Sequence, residues 1–172
     1  MSESEGSRPT RDHASEERIR GRRAGRRLAL ASVFEAEFGQ RTANAILERH
    51  LALEADPEAA ALAREIVANV IANREALDAR IGVAAPQYPV VQLARMDRAL
   101  LRCGLCEVLH SPATPARVAI AEWVELARTY SGEPMRRLVN GVLGRITRED
   151  NATRQDTTPA PGGSQWPART SG

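Results

Sequence analysis

Arginine side chains crowd one end of the sequence, at a spacing that suits binding to a polyanion. All 24 basic residues other than histidine are arginine, and eight of them lie within the first 27 residues. A guanidinium donates hydrogen bonds in a fork that matches the oxygens of a phosphate. At 100° per residue, Arg22 shares a helix face with Arg26, and Arg23 shares one with Arg27. These four residues are the candidate nucleic-acid contacts.

The same arginines have an alternative interpretation as a solvated helix start. Four positive charges near a helix N-terminus oppose the helix dipole and repel one another. A bound polyanion would relieve that unfavourable energy, which favours a nucleic-acid contact. Arg136 and Arg137, near the start of the last expected helix, would extend the basic surface, with ordinary solvation as their alternative.

Side chains that commonly carry catalysis do not form a recognisable site. None of the three histidines has a Cys, Asp or Glu partner at metal-ligand spacing. Cys103 and Cys106 form a Cys-x-x-Cys pair inside an apolar helical stretch, which predicts buried core thiols. Glu122 and Glu125 are three residues apart on one expected helix, and we predict a solvated or partner-facing surface there. We therefore expect no enzyme activity, no cofactor and no metal site.

Composition places the chain among ordinary globular proteins. A length of 172 residues suits one domain, and the net charge is only +2. The acidic, polar start lacks the basic and apolar regions of a signal peptide, and no apolar run approaches the length of a membrane span. With two cysteines in an apolar stretch, we expect a cytoplasmic protein that does not enter a membrane.

Apolar periodicity predicts helices from residue 22 to residue 148. Spacings of three and four recur throughout, most clearly from Met135 to Ile146, and no segment alternates with period two. We therefore expect an all-α, compact bundle of about six to seven helices. Residues 1–21 and 149–172 are polar or rich in Thr, Pro, Gly and Ser, so both are predicted to be disordered tails.

Helix boundaries are expected at residues with known capping preferences. Asp56-Pro57 and Thr114-Pro115 each combine an N-cap residue with a proline at the first helical position. Glycines that follow periodic stretches predict helix ends, and they are Gly39, Gly82 and Gly132. The helix near residues 90–110 is apolar on two stripes, which is typical of the buried centre of a bundle.

Four stretches resemble the NusB family, in the same order and across about residues 22–147. Residues 114–130 contain Thr-Pro-x-x-Val-Ala-Ile-x-Glu-x-Val-Glu-Leu-Ala-Arg-x-Tyr, which resembles that family's penultimate helix. Residues 138–143, Leu-Val-Asn-Gly-Val-Leu, resemble its Phe-Val-Asn-Gly-Val-Leu signature. Residues 96–102 with Glu107 resemble its central helix, and Arg22, Arg23 and Arg26 followed by Val33-Phe34 resemble its arginine-rich opening.

The resemblance implies a transcription antitermination factor. NusB-like proteins pair with NusE, a ribosomal small-subunit protein, on the boxA element of nascent RNA. The pair helps RNA polymerase to read through terminators, notably in ribosomal RNA operons. The resemblance assigns RNA contacts to Arg22, Arg23 and Arg26, with Arg27 as an addition. It assigns partner contacts to Phe34 and Asp97.

Three positions depart from the family pattern. Ala121 stands where Asn is usual, Leu138 where Phe is usual, and Phe34 where Tyr is usual. Leu138 has no ring to stack on a base, and Phe34 has no hydroxyl for a polar contact. Because the body contains few aromatic residues, we expect weak RNA binding by the chain alone and tighter binding with its protein partner.

Two other functions remain open on the sequence. NusB-like domains also precede the catalytic domain of ribosomal RNA cytosine methyltransferases, so an RNA-binding accessory domain is one alternative. We expect no methyl-donor domain in this protein, which argues against an enzyme. The other alternative is a protein-interaction or dimerisation module with solvated arginines, and a homodimer is possible because an apolar partner surface can also bind a second copy.

Overall fold

The computed structural model describes residues 11–53 and 56–156. This part of the chain forms six α-helices and a short 3-10 helix, with no strand. The helices are α1 (Arg11–Ala36), α2 (Ala43–Leu51), α3 (Pro57–Ala84), α4 (Arg95–His110), α5 (Ala116–Ser131) and α6 (Glu133–Asp156), and the 3-10 helix is Val90–Gln92. The prediction of an all-α bundle of six to seven helices is confirmed.

Helix α4 forms the centre of the bundle, packed against α1, α3, α5 and α6. Its residues from Ala99 to Glu107 are all buried, which confirms the expectation drawn from its two apolar stripes. Trp123 of α5 and Leu143 of α6 are fully buried against this helix, and both approach the position of a Cβ at Gly104 within 3.3 Å. The core therefore surrounds α4 on several sides.

Helices α1 and α3 pack closely because two glycines of α1 face the start of α3. A Cβ built at Gly25 would lie 2.7 Å from the backbone oxygen of Ala59, and one at Gly21 would lie 2.8 Å from a carboxylate oxygen of Asp56. A side chain at Gly25 would force the two backbones apart, whereas one at Gly21 would displace the Asp56 carboxylate that caps α3. This close contact sets the face of α1 that turns inward.

Several predicted helix boundaries are confirmed. The Asp56 carboxylate accepts hydrogen bonds from the backbone N–H groups of Glu58, at 2.9 Å, and Ala59, at 3.3 Å, as an N-cap does. Gly132 ends α5 with a φ of +85°, a left-handed conformation that favours glycine. Gly39 lies in the turn after α1, also at positive φ.

Two boundary predictions are wrong. Gly82 does not end α3, which continues to Ala84, because Gly82 keeps helical backbone angles and does not adopt the positive φ seen at Gly39 and Gly132. Thr114 does not cap α5: the cap residue is Pro115, and no side chain donates or accepts there. The Thr114 hydroxyl accepts a hydrogen bond from Arg22 instead.

Both terminal helices extend beyond the body predicted from periodicity. Helix α1 begins at Arg11 and α6 ends at Asp156, so the prediction of disorder is wrong for residues 11–21 and 149–156. The exposed first turns of α1 and last turns of α6 extend helices whose other turns are packed in the bundle, and ion pairs stabilise them. Arg18 lies 3.4 Å from Glu58, and Arg145 lies 2.8 Å from Glu149. The predicted disorder of residues 1–10 and 157–172 lies outside the described residues. Within the described ranges, no helix has the length and apolar character needed to cross a membrane.

Candidate nucleic-acid interface

The arginine-rich part of α1 is divided between the protein interior and its surface. The Arg26 side chain is 3% exposed and that of Arg22 is 18% exposed, whereas Arg23 is 57% exposed and Arg27 is also exposed. The division follows from the packing of Gly21 and Gly25 against α3, which turns the Arg22–Arg26 face inward. The four predicted contacts therefore do not form one surface.

Arg26 forms a buried ion pair with Glu107 of α4. Its Nε and Nη2 donate hydrogen bonds of 2.9 and 2.8 Å to the two oxygens of the fully buried Glu107 carboxylate. The indole N–H of Trp123 donates a third hydrogen bond to that carboxylate, at 2.7 Å. This arrangement joins α1, α4 and α5. Contrary to the sequence expectation, Arg26 has a structural role, and we do not retain it among the proposed RNA contacts.

Arg22 lies at the edge of the same buried cluster. One of its terminal nitrogens donates a hydrogen bond to the Thr114 hydroxyl and lies 3.8 Å from a Glu107 oxygen. Its other terminal nitrogen is 4.0 Å from Glu58. Because Glu107 and Glu58 lie on either side of its guanidinium, Arg22 is oriented toward the interior. It therefore offers little guanidinium surface to a ligand.

Arg23 and Arg27 are the outward-facing members of the segment. Arg23 donates hydrogen bonds of 3.0–3.1 Å to the Glu122 carboxylate of α5, and these bonds raise the pKa of its guanidinium. Among the described residues, the Arg27 guanidinium has no ion-pair or hydrogen-bond partner. Both line a groove of about 490 Å³ between α1 and α5, the α1–α5 groove, together with Glu122, Glu125 and Tyr130.

Arg136 and Arg137 lie in the first turn of α6, and both pair with Glu133. Arg136 donates hydrogen bonds of 2.7–2.9 Å that raise its pKa, whereas Arg137 is 3.4 Å from the same carboxylate and 74% exposed. Arg137 also lines a second groove, with Tyr88, Arg145 and other residues from the end of α3, the loop that follows it and the first two-thirds of α6. Arg137 is thus the more accessible of the two predicted contacts.

Phe34, near the end of α1, and Asp97, in the first turn of α4, lie outside the α1–α5 groove. Phe34 is half-buried and contacts the Phe38 ring edge to face, with centroids 5.4 Å apart. The Arg95 guanidinium lies 4.7 Å above the Phe38 ring, which is 53% exposed. Val91, just before α4, is 84% exposed. We call Phe34, Phe38, Val91, Arg95 and Asp97 the α1–α4 surface.

A network of ion pairs fixes the shape of the α1–α4 surface. The Glu37 carboxylate accepts hydrogen bonds from Arg98 at 2.7 Å and from Arg102 at 2.5 Å. Arg98 also donates to the backbone oxygens of Val91 and Leu93, which holds the loop before α4. Burial raises the pKa of Glu37, but the hydrogen bond from Arg98 and the positive charge of Arg102 outweigh that effect and lower it.

The cysteine pair has the character predicted for core thiols. Cys103 and Cys106 are both buried, and neither is in a disulfide. Burial raises the pKa of Cys106 to about 12 and that of Cys103 well above its ordinary value. No group of three potential metal-ligating side chains occurs in the described ranges.

The model of the NusB family matches residues 23–148. The chain belongs to the NusB family. The transcription antitermination protein NusB of Heliobacterium modesticaldum is 36% identical to it over 150 residues, which cover 83% of this chain and 70% of that protein. A solved NusB structure from T. maritima superimposes with a TM-score of 0.70 at 30% identity, covering 74% of this chain and 91% of that one. The resemblance, the all-α fold and the function as an antitermination factor are thereby confirmed.

A further solved structure contains NusB and NusE in complex with double-stranded RNA. Its matching chain has a TM-score of 0.67 and 20% identity, and the match covers 76% of this chain and 98% of that one. At this identity the likeness shows the NusB fold alone. The curated relatives are antitermination proteins, which favours that function over a methyltransferase accessory domain.

Sequence reasoning missed the side chains that complete both surfaces of this NusB-family chain. Phe38, Val91 and Arg95 carry no pattern that separates them from core or solvated residues, and Tyr130, although part of the stretch that resembles the NusB penultimate helix, carries none that marks it as exposed. Glu107 did carry a signal, because a carboxylate in the apolar run Leu105-Cys106-Glu107-Val108-Leu109 requires a buried cationic partner. That partner proved to be Arg26.

Proposed function

We propose that this chain binds single-stranded RNA of the boxA type through Arg23 and Arg27, as a non-catalytic factor of the cytoplasmic transcription complex. The observation that supports this proposal is that both guanidinium groups point outward from α1 and line the α1–α5 groove. A phosphate can bind the exposed Arg23 guanidinium through Nη1, which has no described partner, while Nε and Nη2 hold the part-buried Glu122, and Arg27 has its donors free of described partners. Arg137 extends this contact along the start of α6.

A protein partner completes the binding unit in this proposal. The NusB–NusE complex with RNA supports NusE, the ribosomal small-subunit protein, as that partner. The α1–α4 surface suits such docking because it combines exposed Phe38 and Val91 with the half-buried carboxylate of Asp97. The assembled pair acts with RNA polymerase on ribosomal RNA operons. A homodimer is the competing use of the same surface.

A salt titration tests the arginine contacts. The affinity of the chain for a boxA-containing oligoribonucleotide is measured across salt concentrations for the wild type and for Arg23→Ala/Arg27→Ala. The logarithm of the association constant falls linearly with the logarithm of salt concentration, and each phosphate contact on a single strand contributes about −0.7 to that slope. Removing two contacts should therefore make the slope less steep by about 1.4. Arg49→Ala/Arg64→Ala is the matched control, because it removes two exposed, ion-paired arginines elsewhere.

The outcomes separate RNA binding from a pure protein-interaction module. A slope that falls only in the Arg23/Arg27 variant supports the proposal. Salt-independent binding, or the same slope in both double variants, contradicts it. A parallel RNA titration with and without NusE tests the partner, and equal RNA affinity in both would refute cooperative binding. A homodimer is recognised separately, because the apparent molecular mass of the chain alone would then rise with protein concentration.

A further inference from the structure

Tyr130 is an exposed aromatic residue beside the outward-facing arginines. It lies in the last turn of α5, before Gly132 turns the chain into α6, and its surface is 47% exposed. It lines the α1–α5 groove opposite α1, which contributes Arg23 and Arg27. A flat ring and two cations thus border one concave site.

The carboxylates in the α1–α5 groove do not make it repulsive to an anion. Glu122 accepts hydrogen bonds from Arg23 and lies 3.7 Å from Arg26, and Glu125 pairs with Arg128. Both carboxylates are therefore neutralised by neighbouring guanidinium groups. Arg27 adds a positive charge without a partner among the described residues.

The size and lining of this groove suit a nucleotide. Its volume of about 490 Å³ lies within the range of about 300–1,000 Å³ that is common for ligand pockets. Ala121 and Leu126 add apolar surface between the polar groups. A base needs a π-face and apolar contact, and its phosphate needs cations, and the groove provides both.

We propose that the α1–α5 groove is a nucleotide subsite in which one unpaired RNA base stacks on Tyr130 while its phosphate contacts Arg27 and Arg23. This inference rests on the proposed RNA binding and adds to it a specific base-binding position. Stacking accepts any base, so the subsite contributes affinity and positions the strand rather than reading sequence. Since Tyr130 and Arg23 lie on different helices, the subsite exists only when the folded bundle holds α5 beside α1.

Substitutions at position 130 test the stacking directly. Binding of a single-stranded oligoribonucleotide is measured for Tyr130→Leu, which keeps apolar bulk but loses the π-face, and for Tyr130→Phe, which keeps the ring. Leucine is expected to weaken binding roughly 5- to 150-fold, the usual range for loss of one stacked base. Phenylalanine stays within about twofold of wild type. Val83→Ala, an exposed apolar residue of α3, is the control.

A second readout locates the base. RNA that carries 4-thiouridine is crosslinked to the wild-type chain, and the protein is digested with trypsin. The crosslink is expected on the fragment of residues 129–136, in which Tyr130 is the only aromatic residue. In Tyr130→Leu the yield on this fragment falls, while circular dichroism confirms an unchanged helix content.

The results distinguish failure of the subsite from failure of RNA binding. The salt slope of Tyr130→Leu should equal that of wild type, because no charge is removed. If wild-type RNA binding depends on Arg23 and Arg27 but Tyr130→Leu binds equally well, the subsite is refuted and RNA binding stands. If the wild-type chain binds no RNA, both proposals fail.

Discussion

The carboxylate of Glu107 and the guanidinium of Arg26, 81 residues apart in sequence, are joined by two hydrogen bonds of 2.8 and 2.9 Å inside the core. This pair fixes the rotation of α1 about its own axis. Arg23 and Arg27, which project from another side of the helix, consequently face solvent. The buried pair therefore decides which arginines a ligand can reach.

Loss of the Glu107 charge should strongly destabilise the fold. Glu107→Gln removes the carboxylate that is hydrogen-bonded to the buried Arg26 guanidinium and leaves only Glu122, at 3.7 Å, as a countercharge; breaking such a buried pair costs about 3–5 kcal/mol. Chemical denaturation should therefore show a large fall in the free energy of unfolding. The double variant Arg26→Met/Glu107→Leu removes both charges and should recover most of that loss. A Glu107→Gln protein as stable as wild type would contradict the assigned role of this pair.

Alanine at Gly25 should destabilise the contact between α1 and α3. The added Cβ would lie 2.7 Å from the Ala59 backbone oxygen, and such overpacking costs about 1–3 kcal/mol. Gly82→Ala is the matched control, because Gly82 lies within α3 with no atom near its Cβ position. Alanine at position 82 should raise the free energy of unfolding by about 0.5–1 kcal/mol, because alanine has a higher helix propensity than glycine. Thermal or denaturant unfolding that ranks the two variants in the reverse order would refute the close contact.

The Glu37 network should make stability depend on pH in the acidic range. Because the pKa of Glu37 is lower in the folded protein than its ordinary value of 4.5, the folded state binds this proton less readily than the unfolded chain. The stabilisation is complete above about pH 4.5 and is lost as pH falls through the lower, folded pKa. Glu37→Gln should flatten the acidic part of the stability profile, measured by denaturation between pH 3 and 6 (roughly the range in which carboxylates titrate). An unchanged profile would show that Glu37 does not carry this dependence.

Charge reversal on the α1–α4 surface should affect the protein partner and leave RNA binding by the chain alone unchanged. Asp97→Arg is expected to weaken NusE binding at least about tenfold, through like-charge or unpaired contacts at a docking site. Glu75→Arg makes the same charge change on an exposed part of α3 and serves as the control. Calorimetric titration with NusE gives the affinity. Equal losses in the two variants would point to a long-range charge effect instead of docking at this surface.

The two thiols should be unreactive in the folded protein. Burial raises the pKa of Cys106 to about 12, and a protonated, buried thiol is a poor nucleophile. A thiol reagent at pH 8 should therefore modify Cys103 and Cys106 only after denaturant is added. Fast labelling of the native chain would show that α4 opens at equilibrium.

The sequence predicted the helical architecture because apolar spacing records burial directly. The α4 helix, with apolar side chains on both stripes, proved to be the buried centre. The division of the arginines could not be predicted in this way. Arg22 and Arg26 show the same four-residue spacing as Arg23 and Arg27, and only the distant Glu107 and the close packing of Gly25 determine which pair turns inward.

Partner and ligand surfaces were only partly predictable for a related reason. Phe34 was identified through the family resemblance, whereas Phe38 and Val91 became visible once α1 and the loop before α4 were placed side by side. The exposure of Tyr130 likewise depends on how α5 ends beside α1. Spacing along one helix cannot reveal a surface that two helices build together.

The long sequence separation of the Arg26–Glu107 pair also has a consequence for synthesis. Arg26 leaves the ribosome 81 residues before Glu107, a delay of roughly 4–16 s at translation rates of 5–20 residues per second. During this interval the first helix carries its arginines without the carboxylate that orders them. We therefore expect the chain to present Arg23 and Arg27 to RNA only late in translation, after α4 and α5 have emerged and buried the Arg26 charge.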